Sequence, residues 1–360
     1  MKRPEQKRIS RLRQVMEKND ISALLVTRRE DVRYLSGFTG TAGNLLVTPV
    51  RQMLITDFRY QLQARMQTKG IAILIQKKDI FVSTRDAADR LGVEKIWFDE
   101  SSLTVEECKK LKKQGLSLKG NQDIVGMLRR QKDECELASI RLAITRAELS
   151  FLELTRYIKP GVTEQELRMR LEQLMRKHGS RKEAFDTIVA SGSNGAMPHA
   201  STTNRRIKKG DLVIFDFGAE ADGYYSDTTR TICVGQPTAR QRAIYELVLS
   251  AQTAAIRSVL PGASCKSVDD TAREIIRCAG YGKHFGHGTG HGIGLMVHEG
   301  PSISRQSKDR IAKDMVFTVE PGVYIPGWGG VRIEDMVLAT DAGAHLLTTL
   351  PREFNCLKSK

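Results

Sequence analysis

DLVIFDFGAEADGYYSDTTRT, residues 211–231, is the stretch around which the rest of the chain is organised. Leu212 to Phe217 is rich in β-formers, Asp222-Gly223 is a turn signal, and Tyr224 to Val234 is β-rich again, so the stretch reads as a hairpin. A two-residue loop at Asp222-Gly223 would set Asp216 opposite Thr229. A four-residue loop at 220–223 would set it opposite Asp227. Side chains alternate faces along a strand, so Asp227 and Thr229 share a face in either register. Two carboxylates then converge on one side of a hydrophobic hairpin. Bare carboxylates that close repel and raise a pKa unless a cation lies between them. The competing reading is a solvated hairpin face.

Other acid and imidazole groups follow. HFGHGTGHGIGLMVHEGP, residues 284–301, holds four of the seven histidines and a run of alternating glycines from Gly286 to Gly294. Glycine permits bulges and close backbone approach, and histidine is the commonest metal ligand. FTVEPGVY (317–324) and GVRIEDMV (330–337) are β-like, and each carries a glutamate, Glu320 or Glu334, among apolar neighbours. Glutamate is rarely buried unless paired or metal-bound. An exposed strand face or a salt bridge competes for each, and Arg332 alternates onto the face of Glu334, so an ion pair between those two is a specific alternative. Asp216, Asp227, His291, Glu320 and Glu334 together offer four carboxylates and one imidazole. That set suits two divalent ions of the manganese, cobalt, zinc or iron class. Two such ions with a bridging hydroxide would nearly balance the four negative charges.

The chain has 360 residues, enough for two domains, with 40% hydrophobic and 28% charged residues as in globular proteins. The net charge is +15 and the pI about 9.6. The basic residues are spread, with modest clusters at Lys2 to Arg13 and Lys109 to Lys113, and no RNP-like or zinc-finger pattern accompanies them. A generally basic surface therefore reads better than a nucleic-acid site. The six cysteines form no CxxC pair and read as free thiols of a reducing compartment. Met1 to Asp20 lacks an apolar core of the secretory kind, and no apolar run approaches a membrane span, so the expected location is the cytoplasm.

Along the chain, strands alternate with helices over the first 120 residues or so, which predicts an α/β unit. Helices are expected at 6–19 and 60–68, strands at 23–27, 44–48, 52–56, 71–75 and 95–98, and a glycine-punctuated loop at 34–40. One long amphipathic pattern covers 123–156, with the domain boundary near Gly126. A capping box at Thr163–Glu166 opens the next helix, and residues 188–199 read as a strand breaking into a polar loop that ends on His199. Helices are expected again at 239–260 and 267–279. The order helix, helix, strand-loop, hairpin, helix, helix, strands hints weakly at an internal duplication.

These residues, in this order, resemble the pita-bread metallopeptidases: methionine aminopeptidase, Xaa-Pro aminopeptidase and prolidase. The resemblance rests on Asp216 and Asp227 in DFGAEADGYYSDTTRT, His291 and His298 in HGTGHGIGLMVHEGP, Glu320 in TVEPGVY, Glu334 in GVRIED, and His199 in NGAMPH. VRYLSGF and TDFRY are similar, more loosely, to the creatinase-like N-terminal domain of the Xaa-Pro enzymes. Asp314 in KDMVFT departs from the glycine often found there. The fold implied is an α/β creatinase-like domain over residues 1–126 and an α+β pita-bread catalytic domain over 127–360.

The resemblance further implies that Asp216 binds one metal, that His291 and Glu320 bind the other, and that Asp227 and Glu334 bridge. Manganese is the first expectation, with cobalt, zinc or iron as alternatives. The implied reaction is peptide hydrolysis by a metal-bridging hydroxide. In it Glu320 shuttles the proton, His298 stabilises the oxyanion and His199 hydrogen-bonds substrate. His287 is a candidate contact behind the ligands or with substrate, and Arg332 either orients Glu334 or meets a substrate carboxylate. His291 and His298 lie seven apart, so a regular strand would aim them at opposite faces; an irregular backbone is expected there. The leading expectation is an Xaa-Pro aminopeptidase acting on peptides with proline at position two, because MPHASTT (197–203) is more similar to the aminopeptidase loop. The alternatives are a prolidase, then a non-catalytic binding module. A homodimer is expected, with no membrane or nucleic-acid partner.

Overall fold

The computed structural model describes residues 3–357, and the chain divides into two compact units, Met1–Arg129 and Arg130–Lys360. The first is an α/β unit. Its strands are β1 (Leu24–Val26), β2 (Asn44–Val47), β3 (Gln52–Thr56), β4 (Ala72–Ile75), β5 (Lys95–Asp99) and β6 (Ser117–Asn121). They form one mixed sheet in the order β4-β3-β2-β1-β5-β6. The helices are α1 (Pro4–Lys18), α2 (Arg29–Ser36), α3 (Gln61–Gln67), α4 (Ile80–Leu91), α5 (Val105–Lys113) and α6 (Ile124–Arg129). Leu25, Leu46, Ile55, Leu74 and Ile96 pack against Ala87, Ala88 and Leu91 of α4 and Leu111 of α5.

Sequence patterning located the early strands but missed α4, α5 and β6, and the loop expected at 34–40 begins inside α2. That helix stops at Gly37, whose φ of 75° provides a left-handed cap. The single amphipathic pattern over 123–156 is two helices: α6, which contains Gly126, and α7 (Glu134–Leu154). Asp133 restarts the helix through a reciprocal capping box with Glu136.

The second unit carries two further helix pairs, α7 with α8 (Glu164–Lys177) and α9 (Ala239–Arg257) with α10 (Cys265–Cys278). Its strands are β7 (Ile188–Ser191), β8 (Leu212–Phe217), β9 (Glu220–Ala221), β10 (Tyr224–Tyr225), β11 (Thr228–Val234), β12 (Gly290–Gly292), β13 (Glu299–Ile303), β14 (Val316–Val319), β15 (Gly322–Ile325), β16 (Gly329–Arg332), β17 (Asp335–Thr340), β18 (Gly343–Leu346) and β19 (Cys356–Leu357). The two larger sheets run β19-β11-β8-β7 and β13-β12-β14-β17-β18.

Each helix pair covers one sheet. Phe151, Leu167, Leu171 and Leu174 of α7 and α8 meet Val189, Val213, Phe215, Phe217 and Ile232. The Phe151 ring stacks on Phe217 at 4.9 Å and meets Phe215 edge-on at 5.4 Å. Ile244, Val248, Ala251, Val268, Ala272 and Ile276 of α9 and α10 meet Phe317, Val319, Val337 and Ala339. Each fully buried large apolar side chain contributes roughly 1.5–3 kcal/mol. With one face of each sheet committed to helices, alternation turns the intervening residues to the other face.

Candidate metal centre

The opening hairpin takes the two-residue register: Thr229 pairs with Asp216, and Ala221 with Tyr224. Asp222 (φ 48°) and Gly223 (φ 75°) both take positive φ, as a type I′ turn requires. Val213, Phe215 and Phe217 point into the α7/α8 core, so Asp216 points away from it. Asp227 lies in the break between β10 and β11. His291 sits mid-strand in β12 between two glycines that have no room for a side chain. A Cβ on Gly290 would lie 1.9 Å from the Thr318 carbonyl oxygen, and one on Gly292 2.0 Å from that of Gly300. The ladder shifts register between His291 and Gly292, and the His291 and His298 rings come to 4.2 Å between centroids. The irregular backbone expected there is thus a β-bulge. Glu320 and Glu334 lie in breaks, between β14 and β15 and between β16 and β17. The Glu320 N–H donates to Thr289 O (2.7 Å), and the Glu334 N–H to Thr229 O (3.1 Å).

All nine residues singled out in the sequence line one cavity of about 440 Å³: His199, Asp216, Asp227, His287, His291, His298, Glu320, Arg332 and Glu334. Asp227, His291 and Glu334 each present a ligand atom within 4.8 Å of the others. His291 Nε2 is 3.4 Å from Glu320 Oε1 and 3.6 Å from Asp227 Oδ2. Burial lowers the His291 pKa, which favours the neutral ring over an ion pair. Its Nδ1 faces the Gly292 carbonyl at 3.2 Å. Nδ1 therefore carries the proton, and Nε2 turns a lone pair towards carboxylate oxygens.

The carboxylates show the same conflict. Burial first, then Glu334 and Asp216, push the Asp227 pKa well up; burial, then Glu320 and Asp216, do the same to Glu334. Burial raises Glu320 to about 7. Asp216 Oδ1, Asp227 Oδ1 and Glu334 Oε1 are buried with no hydrogen-bond partner. Buried acceptors are normally satisfied, and lone pairs that converge without donors call for a cation. The donor set therefore fits divalent metal.

Arg332 corrects one sequence reading. Its Nη2 pairs with Asp216 Oδ2 at 2.5 Å, not with Glu334. Its Nη1 donates to Pro198 O and the Tyr324 hydroxyl, and its Nε to Thr229 Oγ1. Thr229 Oγ1 in turn donates to Glu334 Oε2 at 2.7 Å, so arginine and glutamate share a threonine instead of each other. His287 Nδ1 faces Gly288 O and its Nε2 the Tyr324 hydroxyl. Burial pushes its pKa down to about 4, leaving a neutral ring in the wall. Thr229 and Tyr324 went unrecognised in the sequence as functional. Their only signal was adjacency to a ligand segment, and their partners lie on other strands.

Asp31, Asp99 and Asp123 of the first unit also lie close enough to hold an ion. Their cation is built in: the Arg28 guanidinium contacts all three carboxylates at 2.6–3.3 Å, and Arg129 adds a bond to Asp31 at 2.7 Å.

Comparison with known proteins identifies the family. The model for metallopeptidase family M24 matches residues 138–341, and that for the creatinase/prolidase N-terminal domain matches 8–130. An Xaa-Pro dipeptidase of Pyrococcus horikoshii is 38% identical over 350 residues, 96% of this chain and 98% of that protein. The solved structure of an Xaa-Pro dipeptidase from Bacillus anthracis superposes with a TM-score of 0.95 at 38% identity, covering 98% of this chain and all of that one. An X-Pro aminopeptidase from Thermotoga maritima superposes at 0.89 with 36% identity, covering 97% and 99%. The chain belongs to metallopeptidase family M24, with a creatinase-like N-terminal domain preceding a pita-bread catalytic domain.

Proposed function

We propose that this chain is a two-metal peptidase that hydrolyses the bond between an N-terminal residue and proline, with Xaa-Pro dipeptides as its first substrates. The observation that carries the metal dependence is the set of unpaired buried acceptors Asp216 Oδ1, Asp227 Oδ1 and Glu334 Oε1, with a His291 ligand atom within 4.8 Å of those of Asp227 and Glu334. Asp216, Asp227, His291, Glu320 and Glu334 would hold the ions. When bound, two divalent cations supply Lewis acidity and an activated water.

The chain's own residues do the rest. Glu320, whose carboxyl burial makes easier to protonate, receives the proton of the attacking water and passes it to the leaving proline nitrogen. His298 donates a hydrogen bond to the oxygen on which charge develops. His199, exposed at the cavity wall, holds the substrate near the scissile bond. Arg332 and Thr229 fix the ligand carboxylates from behind. Manganese is the proposed native metal, and a cytoplasmic homodimer the proposed state. A fully active monomer by light scattering would remove the latter.

The names of the relatives shift the preference within this chemistry. The sequence reading put the aminopeptidase first, whereas the Pyrococcus and Bacillus relatives are Xaa-Pro dipeptidases. One feature still favours the aminopeptidase as a second reading. Arg332 is the one Arg or Lys among the described residues lining the cavity. Four of its donor N–H groups are already used, out of the five a guanidinium has. A two-pronged clamp on a dipeptide carboxylate is therefore not ready-made there.

The test compares kcat/KM for Ala-Pro, Ala-Pro-amide, Ala-Pro-Ala and Met-Ala peptides after chelation and reloading with Mn²⁺ or Co²⁺. Full activity after exhaustive metal removal would end the metal reading. Cleavage of Ala-Pro alone supports the dipeptidase; equal cleavage of the amide and tripeptide supports the aminopeptidase. Cleavage of Met-Ala peptides without proline sinks both.

A further inference from the structure

Glu164 opens helix α8 beside its N-cap Thr163 and is fully buried, yet it plays no part in the cavity wall. Its carboxylate accepts five hydrogen bonds. Oε1 takes Ser191 N and Oγ, both at 2.7 Å. Oε2 takes Asn194 Nδ2 at 2.9 Å, Thr203 N at 3.0 Å and Thr203 Oγ1 at 2.6 Å. The donors stand at the last residue of β7, in the 3-10 turn that follows it, and at Thr203, and His199 lies between the last two of them. Backbone bonds from Glu164 N to Arg205 O and from Gln165 N to Thr203 O tie the same segment to the helix end. From the cavity side, Arg332 Nη1 holds the Pro198 carbonyl. A carboxylate has two acceptor oxygens and can take several N–H and O–H groups at once.

We infer that Glu164 is a positioning residue of the peptidase, acting through His199: it folds residues 191–203 into the one shape that presents His199 to substrate. This rests on the proposed contact between His199 and substrate. The fastening is specific for carboxylate. Each oxygen faces a backbone N–H, Ser191 N or Thr203 N, that cannot rotate away. A glutamine amide would turn its NH₂ against one of these in either orientation.

The experiment is a double-mutant cycle on Ala-Pro hydrolysis with Mn²⁺-loaded full-length protein, with bound metal counted in every variant. Glu164→Gln is expected to lower kcat/KM about 10²-fold, the scale of loss for a misplaced group, with bound metal unchanged. Combined with His199→Ala, it is expected to add nothing to the loss of the worse single variant. Should Glu164→Gln fail to fold, Thr203→Val removes one hydroxyl from the same carboxylate, and the same non-additivity with His199→Ala is expected. Losses that multiply, loss of metal, or an undiminished Glu164→Gln would each overturn the role of Glu164. An undiminished His199→Ala would instead overturn the role of His199, leaving the metallopeptidase reading intact if Ala-Pro is still cleaved.

Discussion

Thr229→Val is the sharpest probe of how the ligand carboxylates are held. Thr229 is fully buried opposite Asp216. Its hydroxyl donates to Glu334 Oε2 at 2.7 Å and accepts from Arg332 Nε at 3.0 Å. Valine keeps the shape and removes both bonds. Glu334 Oε1 already lacks a partner, so the variant leaves that carboxylate without a fixed orientation. Hydrogen bonds to charged groups contribute about 1.5–3 kcal/mol, and loss of such a supporting bond typically weakens metal binding about 10- to 100-fold. That range corresponds to about 1.4–2.7 kcal/mol. Calorimetric titration of metal-free protein with Mn²⁺ measures it directly. Thr231→Val is the control: its hydroxyl also bridges strands, to the Arg332 backbone at 2.9 and 3.1 Å, but touches no ligand. Equal affinities for Thr229→Val and the parent, or equal losses in both variants, would refute the reasoning.

Asp227→Asn should cost more activity than His199→Ala and should lose bound metal, whereas His199→Ala should keep it; an active Asp227→Asn with its metal retained removes that assignment. The His287 pKa is about 4 in the fold against an ordinary 6.5, so the unfolded chain binds the extra proton first. Stability should therefore fall as pH drops from 6.5 towards 4, by about 3 kcal/mol over the full span, and urea titrations of His287→Phe should lack this component. Asp314 takes a φ of 65°, a left-handed conformation that costs most side chains about 1–2 kcal/mol. Asp314→Gly should leave kcat/KM unchanged and raise stability by up to about 1 kcal/mol, less the added freedom of the unfolded glycine; a destabilised variant would show that the aspartate side chain contributes more than its backbone costs.

The candidate site residues, all nine of which line one cavity, were the most legible part of the sequence. Acid and imidazole groups placed in apolar, glycine-rich strands conflict with local propensity, and such conflicts are visible without a structure. The hairpin itself was legible from Asp222-Gly223, but the sequence left the partner of Asp216 open between Thr229 and Asp227, and the fold pairs it with Thr229. Three things were not legible. The break in the 123–156 helix depends on Asp133 and Glu136 capping each other, and the apolar spacing continues through it. The pairing of Arg332 with Asp216 and not Glu334 is a contact between strands far apart in sequence. Glu164 looked like an ordinary first-turn glutamate, because its five donors come from three residues, Ser191, Asn194 and Thr203, with no periodic spacing.

The glycines beside His291 separate two kinds of inheritance. Gly290 and Gly292 are held by carbonyl oxygens of neighbouring strands that leave no space for even a methyl group, whereas the acids around them are held by side chains, Asp216 by Arg332 and Glu334 by Thr229. A descendant released from catalysis could exchange Asp216, Asp227 or Glu334 for neutral residues and still close its sheet. It could not exchange Gly290 or Gly292 without parting β12 from its neighbours. Among distant kin, then, these glycines would mark common architecture and the carboxylates common chemistry, and a sequence that keeps the first while losing the second would be a fold that has changed its trade.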